Sequence, residues 1–229
     1  AAVLSGGVGY GKTYLTQILE AELPDAFTPV IPLVFPQLSP PEFLAWLAEE
    51  LGVPAEVAAE GRLDQTLRQL ETQLRQLTAQ GHFPTVLVDE SHLIESPALL
   101  QTFQLLLNYQ QQPAIRFTLV LVGDRPLLGQ ISRFAALDER IAIRAVLQPL
   151  TKQETAGYVK HRLKVAGRVD PVFDDSALAA IFELSGGVPR RINRLCDLAL
   201  LVGYADQLPR LTALEIEAVA EELNVGLTV

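Results

Sequence analysis

The chain has 229 residues, a formal net charge of −9, one cysteine and a hydrophobic fraction of 49%. A chain of this length forms one large domain or two modest ones and can bury a sizeable core without stabilising disulfides or metal ions. The excess of acidic residues argues against nucleic-acid binding over the whole surface, because phosphate binding depends on Lys and Arg. A local basic patch is compatible with this net charge. No apolar run reaches the roughly 18 residues of a membrane-spanning helix. Cys196 cannot form an internal disulfide, which fits a reducing cytoplasm.

The sequence starts at Ala1 without a methionine, and its first residues already have the character of a core strand. We therefore expect an internal piece of a longer protein, and no signal peptide is visible in it. The expected location is the cytoplasm.

Short apolar runs alternate with amphipathic stretches in the first 150 residues, which predicts an α/β fold with a mostly parallel sheet. Pro32 lies in the second run and favours an edge position for it, since proline cannot donate to a β-ladder. The predicted strands are residues 2–4, 30–35, 85–88, 118–122 and 145–147.

Two helices of this half have readable ends. Ser39 and Glu42 form a capping box that opens a helix through Leu51, and Gly52 stops it. The second helix ends at Gly81 and carries one apolar stripe, which indicates an outer helix packed on the sheet rather than a coiled coil, because a coiled coil needs more heptads. The stripe consists of Leu63, Leu67, Leu70, Leu74 and Leu77.

After Pro149 the strand signals stop and four helices are predicted. Their start signals are the capping pair Thr151 and Glu154, then Asp174 or Asp175, then Pro189, and finally Thr212 with Glu215. Gly167 and Gly186 end the first two. We therefore predict two domains, an α/β domain over residues 1–150 and a small helical domain over residues 151–229.

The strongest motif follows the first strand and opens a helix with the spacing G-x-x-x-x-G-K-T. Glycines let backbone N–H groups turn inward around phosphate oxygens, and the helix presents its positive N-terminus to them. Lys12 is predicted to reach the β- and γ-phosphates of ATP, or the β-phosphate of ADP, and the Thr13 hydroxyl to ligate Mg²⁺. The motif consists of Gly6, Gly7, Val8, Gly9, Tyr10, Gly11, Lys12 and Thr13.

Two adjacent acids, Asp89 and Glu90, end the third predicted strand. Asp89 is the candidate second partner of Mg²⁺, and Glu90 is the candidate general base that deprotonates the attacking water. Acids at strand ends are also common caps, but a phosphate loop upstream favours the catalytic interpretation. His92 follows shortly after, and we expect a structural role for it rather than a catalytic one.

Asp124 stands at the tip of the fourth predicted strand. A polar side chain there can touch the γ-phosphate and the attacking water, while the alternative is a plain loop turn. The sequence has no Asn or Thr at this tip, and the electrostatic reason for an acid beside phosphates is left open.

Three arginines before the last predicted strand are candidates for a residue that reaches a neighbouring subunit. Arg140 is the first choice, because an arginine just before that strand can stabilise transition-state charge on the γ-phosphate; Arg144 and Arg133 are weaker rivals. The alternative is a surface arginine paired with an acid. In the helical part, Arg190 follows Pro189 in the first turn of a helix and can point back at the nucleotide, or be solvated.

These motifs together resemble AAA+ ATPases, and more closely the ExeA-type proteins, also called general secretion pathway protein A. Residues 185–205, SGGVPRRINRLCDLALLVGYA, carry the most specific part of the resemblance, with residues 119–123 and 154–167 in support. The resemblance implies a P-loop NTPase three-layer α/β/α fold with strand order 5-1-4-3-2 followed by a helical lid. It also implies Arg190 as the lid sensor and Arg140 as the arginine finger. The sequence departs from the family at Tyr10, usually a small residue, and at Asp124, usually Gln, which puts the sensor role of Asp124 in doubt.

The resemblance implies an ATPase that works as a ring or filament of its own copies, hexamer-like in the commonest arrangement, with a membrane-bound secretion or pilus assembly partner. The alternative is a DNA-binding regulator of transposition of the TniB and TnsC type, which has the same core. A third hypothesis is a nucleotide-dependent scaffold without hydrolysis, and the presence of Glu90 speaks against it.

Overall fold

The computed structural model describes residues 1–54, 63–168 and 170–225. Two compact units make up the chain. The first contains Ala1–Gly7 and Lys12–Leu147, and the second contains Val8–Gly11 and Gln148–Val229. None of the helices in the described ranges has the length and apolar character needed to cross a membrane.

Five parallel strands form the sheet of the first unit in its described part, in the order β2-β3-β4-β1-β5. This is the predicted order read from the opposite edge. β2 lies at one edge, as Pro32 indicated. The strands are β1 (Ala2–Gly6), β2 (Val30–Leu33), β3 (Thr85–Val88), β4 (Thr118–Gly123) and β5 (Ile143–Leu147).

The central strands are apolar on both faces, because both faces of the sheet are covered. Successive side chains of a strand point to opposite faces, and the two hydrophobic clusters divide accordingly. Val86 and Val88 of β3 join the large cluster with Phe43, Leu70 and Phe103, whereas Leu87 joins a small cluster on the other face.

The helices of the first unit include the two that the sequence delimited and others that it did not. Ser39 caps α2, where its backbone N–H donates to Glu42 Oε2 at 2.7 Å. Leu70 and Leu74 of the predicted stripe are buried in α3. The helices are α1 (Lys12–Glu22), α2 (Pro40–Glu50), α3 (Leu63–Ala79), α4 (Pro97–Asn108), α5 (Pro126–Ser132) and α6 (Ala135–Asp138).

The second unit is helical, with α7 (Lys152–Val165), α8 (Asp175–Ser185), α9 (Pro189–Ala205) and α10 (Ala213–Val225). Of the two predicted cap candidates for α8, Asp174 is the one that accepts the Ala177 N–H, at 2.8 Å. Its pKa is lowered by the hydrogen bonds from Ser176 and Ala177. Between α8 and α9, Gly187 has a φ of +71°, and a Cβ on it would lie 2.0 Å from the Leu150 carbonyl oxygen. Only glycine fits there.

The core of the first unit supplies a stability prediction. Phe103 is fully buried, and its ring lies 5.0 Å from that of Phe43. Phe103→Ala removes this packing and leaves a cavity, so we expect the free energy of unfolding of the first unit to fall by about 3–5 kcal/mol. Urea unfolding followed by the fluorescence of Trp46 measures it, because Trp46 is the chain's single tryptophan and its ring lies 5.9 Å from that of Phe43.

The matched control is Phe35→Ala, because Phe35 is 65% exposed. Its substitution should change the free energy of unfolding by less than about 0.5 kcal/mol. Equal losses in the two variants would contradict the assigned core.

Candidate functional site

The strand order brings the chemistry-bearing residues to one edge of the sheet. β4 lies between β3 and β1, and all three strands run in the same direction. The segments that follow their carboxyl ends therefore meet at the same edge. These segments are the glycine-rich loop before Lys12, the acidic pair after β3, and Asp124 after β4.

The loop between β1 and α1 depends on its glycines. Gly9 has a φ of +80° and Gly11 a φ of +92°, both in the left-handed region that side chains disfavour. Within the second unit, the Gly9 carbonyl accepts the Arg190 N–H at 3.1 Å, and a Cβ on Gly9 would lie 2.8 Å from the Arg190 Cβ. The Arg190 side chain itself is exposed.

Lys12 is the first residue of α1, and it is only 7% exposed. Its Nζ donates to the carbonyl oxygens of Gly6 and Gly7, each at 3.2 Å, and to Asp124 Oδ1 at 2.5 Å. An ammonium group has three N–H donors. All three donors of Lys12 therefore have acceptors from the first unit itself.

Thr13 and Asp89 lie together beside Lys12. The Thr13 hydroxyl donates to Asp89 Oδ2 at 3.3 Å, while Asp89 Oδ1 accepts the Glu90 N–H at 2.8 Å. Asp89 is 6% exposed. A hydroxyl and a carboxylate side by side suit Mg²⁺, which takes oxygen ligands and is held by one or two carboxylates together with phosphates. The described residues contain no group of three or more His, Cys, Asp or Glu placed to hold a metal.

Glu90 has an unusual backbone for its residue type, with a φ of 50° and a ψ of 30°. This left-handed conformation costs free energy in a residue with a side chain and is concentrated at functional sites. The carboxylate is 43% exposed, and its Oε2 lies 3.4 Å from His92 Nδ1. The strained turn thus keeps the Glu90 carboxylate accessible while Asp89 beside it is buried.

His92 connects the tips of β3 and β4. Its Nδ1 accepts the backbone N–H of Asp124 at 3.2 Å, and its Nε2 lies 3.7 Å from Asp124 Oδ2. Its carbonyl oxygen accepts from Gln130 Nε2 at 2.9 Å. A Cβ on Gly123 would lie 3.0 Å from the His92 backbone nitrogen, so the two segments are in close contact. In the sequence, His92 stands out only by its position three residues after Asp89, which predicts a structural role.

The three arginines that are candidates to reach a neighbouring subunit differ in their partners. Arg140 Nη2 donates to Asn108 Oδ1 at 2.8 Å, and its Nη1 to the Leu107 carbonyl at 3.4 Å, at the C-terminal end of α4. A cation there is favoured by the helix dipole. Arg144 pairs with Asp138 at 2.8 Å. Arg133 is exposed. The structure thus ties Arg140 to a helix of its own chain, and Asn108 as its partner was not foreseen.

Two cavities are lined by residues outside the glycine-rich loop. One, of about 120 Å³, lies among α7, α9 and Phe173 of the second unit, with Cys196 in its wall. Burial raises the pKa of the Cys196 thiol to about 12, so this cysteine is protonated at neutral pH. The other, of about 420 Å³, is lined by residues 36–40, 93–96 and 99. Neither lining includes a residue of the glycine-rich loop.

A family model described as an AAA domain matches residues 1–131, more than half of the chain. The chain belongs to the AAA domain family. Membership supports nucleotide binding and ATPase activity in general. This AAA domain is 34% identical over 226 residues to general secretion pathway protein A of Aeromonas hydrophila, a match that covers 97% of the chain and 40% of that protein. The predicted ExeA-type resemblance is thereby confirmed, and the chain spans less than half the length of this relative.

Solved structures agree on the fold. The ORC2 protein of Aeropyrum pernix, in its ADPNP–ADP complexes, has a TM-score of 0.72 at 19% identity, over 96% of this chain and 61% of that one. The RuvB Holliday junction branch migration motor of Thermotoga maritima has a TM-score of 0.66 at 21% identity, over 97% of this chain and 62% of that one. These similarities confirm the predicted P-loop NTPase fold with helices after the sheet.

Proposed function

We propose that this AAA domain hydrolyses ATP with Mg²⁺ between subunits of a homo-oligomer, and that hydrolysis drives or regulates assembly of a secretion- or pilus-type machine in the cell envelope. The ATPase part rests on one observation, the position of the Lys12 ammonium between the glycine-rich loop and the tip of β4. The cellular part rests on the 34% identity to a general secretion pathway protein A. We place the domain in the cytoplasm, at the inner-membrane face if other segments anchor it.

The chain's own residues divide the work of binding. The backbone of residues 6–11 surrounds the phosphates, and Lys12 neutralises the β- and γ-phosphates. Thr13 Oγ1 and, through water, Asp89 would hold Mg²⁺, and the hydrogen bond between these two side chains at 3.3 Å supports the pairing. Arg190 is proposed to reach the nucleotide, and the hydrogen bond from its backbone N–H to the Gly9 carbonyl supports this role. Bound ATP and Mg²⁺ supply the cleavable phosphoanhydride and the charge that polarises it.

Glu90 is the proposed general base. Its carboxylate takes the proton of the attacking water, so that ATP and water give ADP and phosphate. The partial exposure of Glu90 and its strained backbone support this role, because the buried Asp89 beside it is already engaged by two donors. Asp124 acts on the site through Lys12, whose Nζ donates to Asp124 Oδ1 at 2.5 Å.

Arg140 is the proposed residue that a neighbouring subunit contributes. Its guanidinium is held at the C-terminal end of α4 and is partly exposed, so it is pre-positioned on a rigid helix. An arginine of a neighbour stabilises the charge that develops on the transferred phosphoryl group. We propose a ring or filament of copies, with a hexamer-like ring as the working arrangement, and a membrane-bound secretion or pilus assembly partner.

The alternative, a DNA-binding regulator of transposition, gains nothing from the secretion relative. Likeness to ORC2 and RuvB at 19% and 21% identity bears on the fold alone. A nucleotide-dependent scaffold without hydrolysis would have no need of a strained, accessible acid next to Asp89. We therefore retain the secretion ATPase as the proposal.

The base assignment predicts the behaviour of Glu90→Gln. This variant keeps the phosphate loop and both magnesium ligands, so it should bind Mg·ATP within a few-fold of the parent. Its kcat should fall about 100-fold or more, the usual contribution of a positioned base. Phosphate release under saturating ATP measures this.

Glu95→Gln is the matched control, because Glu95 is an exposed acid on the same segment after β3. It should retain the parental rate. Parental turnover in both Glu90→Gln and Asp89→Asn would mean that the acids after β3 are not the catalytic pair.

The shared site predicts complementation between two inactive variants. Lys12→Ala lacks the phosphate ligand, and Arg140→Ala lacks the residue given to the neighbour. In a mixed oligomer some interfaces combine an intact Lys12 with an intact Arg140, so part of the ATPase activity should return. Titrating one variant into the other, with co-assembly followed by analytical ultracentrifugation, measures the recovery.

Asn108→Ala is the control for this experiment. It removes the hydrogen bond at 2.8 Å that holds Arg140 but keeps the guanidinium. Because Asn108 only positions the guanidinium, this variant should lose much less activity than Arg140→Ala if Arg140 acts on a neighbour's phosphate. Co-assembly without any recovery would show that Arg140 acts within its own chain or only structurally, and Arg144 would be the next residue to substitute.

A further inference from the structure

The charge at the tip of β4 has a partner that the sequence did not reveal. Asp124 Oδ1 accepts from Lys12 Nζ at 2.5 Å, and the side chains are only 20% and 8% exposed. A partly buried pair of this kind is screened far less by water and salt than a surface pair. Together with the Gly6 and Gly7 carbonyls, Asp124 completes the coordination of the ammonium.

A phosphate group that approaches Lys12 must replace one of these acceptors. The two carbonyls belong to the backbone at the start of the loop, whereas the Asp124 carboxylate carries a full charge and stands on a side chain that can turn. Phosphate and carboxylate repel each other at short range in a medium of low polarity. The acceptor that must leave is therefore Asp124.

His92 offers a place for the displaced carboxylate. Because His92 Nδ1 accepts the backbone N–H of Asp124, the neutral ring carries its proton on Nε2. That nitrogen lies 3.7 Å from Asp124 Oδ2, so a small rotation of the carboxylate forms a hydrogen bond. Asp124 thus stands between two donors, the Lys12 ammonium and the His92 Nε2–H.

We propose that Asp124 is a specificity-determining residue that occupies the γ-phosphate's place on Lys12 and so weakens binding of a nucleoside triphosphate relative to a diphosphate. His92 is the positioning residue that receives Asp124 when the triphosphate takes Lys12. This inference rests on the proposed nucleotide site. It gives Asp124 a role opposite to that of a neutral polar residue at the same tip, which would favour the γ-phosphate by donating to it.

Isothermal titration calorimetry on Asp124→Asn tests the inference with Mg·ATP and Mg·ADP. Asn has the shape of Asp without its charge, so the dissociation constant for ATP should fall about tenfold, the lower end of the effect of one nearby charge. The dissociation constant for ADP, which lacks the γ-phosphate, should change less than about threefold on the same reasoning. Glu71→Gln, which removes a surface acid paired with Arg75 at 2.8 Å, should leave both constants unchanged.

Unchanged or weaker ATP binding in Asp124→Asn would overturn the inference, as would equal tightening of ATP and ADP. Asp124→Ser is a second variant without the charge and should show the same selectivity, and Trp46 fluorescence checks that both variants fold. Absence of nucleotide binding by the parent would instead refute the proposed function, so the two failures are distinguishable.

A double-mutant cycle tests the role of His92. His92→Asn keeps an acceptor near the Nδ1 position but has no donor at the place of Nε2. It should weaken ATP binding several-fold in the parent and have no effect in the Asp124→Asn background. The same weakening in both backgrounds would show that His92 does not act through Asp124.

Discussion

The site is organised around the buried ammonium group of Lys12. A lysine that is 7% exposed needs acceptors for all three of its N–H donors, since an unpaired buried charge is strongly destabilising. The first unit supplies two loop carbonyls and the carboxylate of Asp124. The arrangement follows from the strand order, because β4 is a neighbour of β1 and its tip lies beside the start of the loop. Asp89, one strand further, lies against Thr13 instead.

The same geometry explains how two neighbouring acids come to differ. Asp89 directly follows β3 and is buried, and its carboxylate accepts from the Thr13 hydroxyl and the Glu90 N–H. Glu90 turns into the left-handed region at a φ of 50° and leaves its carboxylate 43% exposed. A backbone strained in this way persists only where surrounding contacts hold it. Ser91 provides one of them, since its buried hydroxyl donates to the Val88 carbonyl at 2.7 Å.

Local signals in the sequence predicted the elements, while long-range contacts needed the structure. The five strands, the edge position of β2 and the caps at Ser39 and Thr151 followed from apolar runs, Pro32 and short-range hydrogen-bonding patterns, and Asp174 was one of two cap candidates for α8. The strand order followed from the resemblance to the ExeA-type family. α4 was not predicted, although its buried residues recur at helical spacing and Pro97 marks its first turn; they are Leu99, Leu100, Phe103, Leu106 and Leu107. The partner of Asp124 is 112 residues away in the chain, so no local pattern could reveal it, and an acid at that tip had no electrostatic explanation.

Binding of Mg·ATP to Lys12→Ala tests the central claim most directly, because every proposed role of the other residues assumes that phosphates reach this ammonium. Calorimetry should show measurable affinity in the parent and none in Lys12→Ala. Lys160→Ala, which removes an exposed lysine of α7, should bind like the parent. Unchanged ATP affinity in Lys12→Ala would contradict the account.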